Sequence, residues 1–226
     1  MDQPIIDFFT RYAVHGKDIP IMSVPARLPT RHTSRTQTHN GMTHTLFVLD
    51  DNLFQITRRV LSLHFQARSE RILSTTTICR GVELWSELDN WALDKDLTFV
   101  DHHTLHELHI CTLFLWLHLI IHSDNFGSDK TQDLVANGLE RISDFQGPRQ
   151  LCAVLLVPLF IHGVASVRKT NRDAVDAEFT WLKEKVYGKN DTLETYRAIV
   201  HWTWRRHDAR AHQSWDWTDW VDEDLL

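Results

Sequence analysis

Cysteine is scarce in this chain: three in 226 residues, at Cys79, Cys111 and Cys152, with no CxxC pair. That excludes a disulfide framework and a cysteine zinc site built from local spacing, and it fits reduced, buried thiols. A basic excess is missing too. Lys and Arg total 24 against 30 Asp and Glu, a net charge of −6, so no general polyanion-binding surface is expected. No GxGxxG, GxxxxGK[ST] or GxSxG occurs, which removes the common phosphate cradles and the serine nucleophile elbow. The start, MDQPIIDFFTRY, puts acids and aromatics where a signal peptide needs a basic region and an apolar run. The most apolar run, ICTLFLWLHLII at residues 110–121, falls short of the ~20 residues of a membrane span. These absences point to a soluble intracellular chain with a buried central helix.

Apolar residues make up 42% and charged residues 24%, enough for one domain with a substantial core. Residues 1–45 stand apart. The stretch 23–45, SVPARLPTRHTSRTQTHNGMTHT, has no acid and little to bury, so this N-terminal segment reads as poorly ordered linker. The expected domain spans residues 46–226.

Within it the apolar periodicity is helical throughout. Asp50 and Asp51 precede a stripe of Leu53, Ile56, Val60 and Leu63. Neither acid has the third partner that an aspartate-rich metal motif requires, so both read as helix-start residues. A second stripe is Ile78, Val82, Trp85, Leu88 and Ala92, and a shorter one is Leu134, Gly138, Leu139 and Ile142. Residues 105–122 are apolar nearly all round, as in a helix surrounded by others. Residues 151–167 are also apolar on most faces, with Pro158 expected to bend them by removing a backbone hydrogen bond. Asn171 is the expected N-cap of a helix carrying Val175, Phe179, Leu182 and Val186, with Gly188 ending it. Leu193, Tyr196, Val200 and Trp204 form the last long stripe. No alternating segment competes as a strand, and the fold class is all-α, an irregular multi-helix bundle.

The densest polar cluster is DHHTLHELH at residues 101–109, with His102, His103, His106 and His109 at helical spacings. Imidazoles one turn apart can share a metal ion, which makes a small metal-binding protein or metal-dependent enzyme the alternative reading. The pattern His106-Glu107-Leu108-His109 is one residue short of HExxH, and a solvated histidine-rich helix entrance explains it more simply. Neither a catalytic residue nor a cofactor is assigned. His118 and His122 read as core histidines.

The C-terminal region has a definite order. Pro158, Leu159, Phe160 and Gly163 lie in an apolar helix, then come Arg172 and Gly188. Trp204, Arg205, Arg206 and Asp208 follow, and the tail holds Trp215, Trp217 and Trp220 among Asp216, Asp219, Asp222, Glu223 and Asp224, ending in Leu225 and Leu226. This order resembles the fungal-specific transcription factor domain, the regulatory part of Zn2Cys6 regulators. The resemblance implies a helical regulatory domain of a nuclear transcription factor, some members of which sense small apolar ligands between helices. It also implies an N-terminal six-cysteine cluster for gripping DNA, which these residues do not contain. The expectation is therefore transcription regulation in the nucleus through protein partners (other regulators or coactivators) or a small apolar ligand. No direct DNA binding, no membrane and no catalysis are expected of this chain, which reads either as a truncated regulator or as a free-standing regulatory domain. Three features of the tail and core complete the reading. Trp217, Val221 and Leu225 are expected to pack back onto the bundle while the acids face water. The acidic, aromatic tail also suits coactivator grooves. The bend at Pro158 beside bare Gly163 is the place to look for a ligand cavity, although dense interiors favour a filled core.

Overall fold

A computed structural model describes residues 51–70, 72–90, 100–188, 191–209 and 215–218. The linker reading of residues 1–45 lies outside these. The described residues are helical, without strands, and run in the order α1 (Asp51–Arg68), α2 (Thr75–Asp89), α3 (Val100–Ile121), α4 (Asp129–Ser143), α5 (Arg149–Cys152), α6 (Leu156–Val164), α7 (Lys169–Leu182) and α8 (Asp191–Asp208). The bundle is irregular, as its unequal apolar stripes dictate.

Helix α3 is the axis, packed by α1, α2, α4 and α6. Its segment His103–Ile121 is long and apolar enough to cross a membrane by length and composition, longer than the run 110–121 suggested. In this fold it is the central core helix: Leu105, Leu108, Trp116, Leu117 and Leu119 are all fully buried. Around it α6 packs on α8, and α7 lies against α4 and α6. The α1, α7 and α8 stripes are buried as their spacing predicts.

Two stripes turn out differently. On α2 the buried face is Thr77, Gly81, Leu84 and Leu88, while Ile78, Val82 and Trp85 are exposed. The reason is Gly81, where an added Cβ would sit 2.8 Å from Ile121 Cδ1, so backbone rather than side chain makes the contact. On α4 Leu134 is exposed and Val135 takes its place inside. Thiol burial also differs, since only Cys152 is buried and Cys79 and Cys111 are exposed.

Residues 151–167 form no single bent helix. A turn, α5, is followed by the 3-10 segment Ala153–Leu155 and then by α6, so Pro158 falls in the first turn of a new helix, where it fits best. Asn171 is not an N-cap but a buried residue inside α7, donating from Nδ2 to the Gln132 carbonyl at 3.2 Å. Gly188 does end its element, closing the π-helical turn Lys183–Tyr187 at φ 60°. Gln132 itself joins three segments. Its Nε2 donates to the carbonyls of Phe126 (2.9 Å) and Ala165 (2.8 Å), and its Oε1 accepts from the amide of Val167 at 2.9 Å.

Candidate functional site

The histidine cluster of residues 102–109 is divided by the helix that carries it. His106 and His109 face the core, 2% and 3% exposed, whereas His103 is exposed beside Glu107, Nδ1 to Oε1 3.6 Å. His102 lies in the first turn of α3, with its side chain outside the described residues. His109 Nε2 lies 3.2 Å from the Val154 carbonyl, so the ring proton sits on Nε2, and burial drives its pKa down to about 3. Among the described residues no group of three or more His, Cys, Asp or Glu side chains converges as metal ligands do. On the same helix, His118 Nε2 meets Thr131 Oγ1 at 3.3 Å.

The residues that carried the C-terminal resemblance form a structural clamp. Gly163 faces Val175 and Val200, with only 3.2–3.3 Å for a Cβ, so α6, α7 and α8 meet tightly there and the core is filled, as dense packing favoured. Trp204 Nε1 donates to the Gly163 carbonyl at 2.8 Å. Arg172 lies with its guanidinium 5.3 Å from the Trp204 ring centre and grips Asp208 with two hydrogen bonds of 2.7 and 2.9 Å. Its Nε donates to the Ser166 carbonyl at 3.1 Å. One arginine therefore fixes the end of α6 and the end of α8 through planar, charge-assisted bonds that a lysine would not reproduce.

Beyond α8 the chain returns to its first helices. Residues 215–218, Trp-Asp-Trp-Thr, form a strap over His64 of α1. Trp217 is fully buried, and Trp215 is 4% exposed. Trp215 stacks on the His64 ring at 4.8 Å, and Trp217 meets it edge-on at 5.6 Å while also touching Phe160 at 5.4 Å. From α3, Trp116 Nε1 donates to His64 Nδ1 at 3.1 Å. An indole can only donate, so Nδ1 accepts and the proton of the neutral ring sits on Nε2. That Nε2 faces Asp216 Oδ1 at 3.3 Å, an electrostatic approach without the alignment of a full hydrogen bond. Burial would raise the Asp216 carboxyl. The facing His64 ring and the hydroxyl and amide of Thr218 outweigh burial and hold it at about 2.

The strap partly bears out the tail reading. Trp217 packs back onto the bundle, while Val221 and Leu225 lie outside the described residues. Asp216 corrects it, because this acid turns to His64 instead of water. Sequence reasoning missed the pair altogether. The one available signal is Asp216-x-Thr218, a spacing at which a carboxylate accepts local backbone and hydroxyl bonds and makes a tight turn.

Against the strap lies an open cleft of about 620 Å³, bounded by the end of α1, the start of α2 and the end of α3. His64, Trp215 and Asp216 form one wall, and Ile78, Ile120 and Ile121 supply apolar surface. Arg68, Glu70, His122, Ser123, Asp124 and Asn125 also line it, so the cleft is polar around a strip of isoleucines and would suit a ligand that carries polar groups.

No curated protein and no solved structure matches the chain. The family model of the fungal specific transcription factor domain matches residues 5–225, nearly the whole sequence. The chain belongs to the fungal specific transcription factor domain family.

Proposed function

We propose that this domain works in transcription regulation, in the nucleus and without catalysis, through protein partners or a small ligand. The observation that carries the reading is the family match over residues 5–225. The clamp and the His64 cage hold helices together, a role that suits a regulatory domain. The cleft beside the strap is the proposed ligand site, replacing the position beside Gly163. A ligand there would touch Trp215 and Asp216 directly, and so would bear on residues that lead straight into the acidic segment 219–226. Three cysteines without zinc spacing and a net charge of −6 support regulation without a zinc-cluster grip on DNA by these residues.

A tethering assay tests this. The 226-residue chain, fused to an unrelated DNA-binding module, should change expression of a reporter carrying that module's site. An unchanged reporter with the fusion present in the nucleus would refute the proposal. The unfused chain should give no sequence-specific shift of duplex DNA at physiological salt, and a nanomolar complex would refute that part.

A further inference from the structure

The cleft beside the strap combines an apolar strip with an excess of acids. Ile78, Ile120 and Ile121 supply the strip, and the charged lining is Arg68 against Glu70, Asp124 and Asp216. Glu70 is committed to the fold, since its carboxylate accepts from the Ser74 amide at 2.6 Å and the Thr77 hydroxyl at 2.8 Å. Asp124 is different. It lies exposed in the 3-10 turn Ser123–Asn125 that follows α3, and its side chain has no hydrogen bond or ion pair among the described residues. Nothing in the packing of the bundle requires an acid there.

The strap contributes the second acid. Asp216 Oδ1 faces His64 Nε2 at 3.3 Å and accepts from the Thr218 amide at 2.9 Å, contacts that keep the carboxyl ionised at neutral pH. The Asp216 side chain still reaches the surface, at 23% exposure. In the same wall His64 is 2% exposed and keeps Nε2 without a full hydrogen bond, an unfinished polar network of the kind that bound polar groups complete. Trp215 adds an aromatic surface, which attracts cations as the acids do. A recess with one sign of charge in excess and low-dielectric walls concentrates the opposite ion. A bare metal ion does not fit, because no group of three or more His, Cys, Asp or Glu converges among the described residues. An organic cation fits both halves of the lining, with its hydrocarbon body on the isoleucines.

We propose that this cleft binds a small molecule carrying a protonated amine on an apolar body, with Asp124 and Asp216 as the acids that select its charge. The proposal rests on the reading of the cleft as the ligand site. The test is isothermal titration calorimetry of the full chain with three probes of one shape: adamantylmethylamine, adamantylmethanol and adamantanecarboxylate. The amine should bind about tenfold tighter than the alcohol, with the carboxylate weakest. Asp124→Asn should weaken the amine about fivefold and leave the alcohol unchanged. Glu140→Gln, the same change of net charge at an exposed position on α4 outside the cleft, should alter neither. Equal binding of amine and alcohol would overturn the proposal and leave the cleft a ligand site. An amine affinity no more sensitive to Asp124→Asn than to Glu140→Gln would overturn it too, as would the absence of binding by all three probes. The tethered reporter then decides separately whether the domain regulates transcription. A parental circular dichroism signal in both variants shows that the comparison is made on folded protein.

Discussion

The imidazole of His109 supplies the hydrogen bond that Pro158 cannot make. Proline has no N–H, so the carbonyl four residues before it, that of Val154, receives no bond from residue 158. His109 Nε2 reaches that carbonyl from α3 at 3.2 Å. The proline in the apolar C-terminal motif and a histidine 49 positions earlier are thus two halves of one backbone repair.

That relationship predicts a coupled pair. His109→Leu should cost about 2 kcal/mol by leaving a buried carbonyl without its donor. In a Pro158→Ala background, where residue 158 regains its N–H, the same change should cost markedly less. Urea denaturation of the four proteins forms the cycle, and strict additivity would show that the two residues are independent.

Acid should weaken the domain before its carboxylates are titrated. Burial lowers His109 to about 3 and His162 to about 4, against an ordinary 6.5. The unfolded chain therefore binds protons below pH 6.5 that the folded chain refuses. Stability is full above that pH and falls as pH drops toward 4, each histidine adding a slope of up to about 1.4 kcal/mol per pH unit. Denaturant midpoints from pH 8 to 4.5 should show the decline, and His162→Gln should flatten it. A midpoint independent of pH over that range would contradict the assignment.

Gly138 is a second consequence of His162. An added Cβ would lie 1.9 Å from His162 Nε2, on a ring already held by the Pro158 carbonyl at 2.8 Å from Nδ1. Gly138→Ala should lower stability by about 1–3 kcal/mol despite the better helix propensity of alanine. A thermal midpoint equal to or above that of the parent would show that the ring moves aside freely.

The helices, their order and most core faces were legible in the sequence because apolar periodicity reports them directly. Leu193, Tyr196 and Val200 went inside as their spacing required. The α2 stripe misled because the element that decides its orientation is Gly81, which has no side chain to register in an apolar pattern. The His64 cage was illegible for another reason. Its members come from α1, α3 and the strap, and nothing in a linear spacing announces that Asp216 lies 3.3 Å from a histidine 152 positions away.

The strap should matter to stability more than its length suggests. Trp217→Ala should cost about 3–5 kcal/mol, as for other fully buried aromatics. Asp216→Asn keeps the shape but removes the charge facing His64, and should cost about 1–2 kcal/mol. Calorimetric melts of both variants check this, and near-parental midpoints would mean that the strap is an ornament on a bundle complete without it.

For metal, protein purified without a histidine tag should carry well under one equivalent of zinc or iron by elemental analysis. His103 is exposed beside Glu107, whereas His106 and His109 are buried, so the histidines do not share one environment. A full equivalent lost on changing His106 and His109 to Ala would instead favour the metal-binding reading.

The strap's return to α1 also sets an order of assembly. A growing polypeptide emerges N-terminus first, so His64 and Trp116 leave the ribosome long before Trp215 and Trp217 exist to enclose them. During synthesis the cage must stay open, and its apolar floor is exposed to chaperones or to neighbouring chains. Contacts this distant in sequence close slowly, because a long loop must be ordered before any bond rewards it. A reading frame interrupted anywhere in α8 or just after it would leave nearly all the helices intact but their first-made surface uncovered.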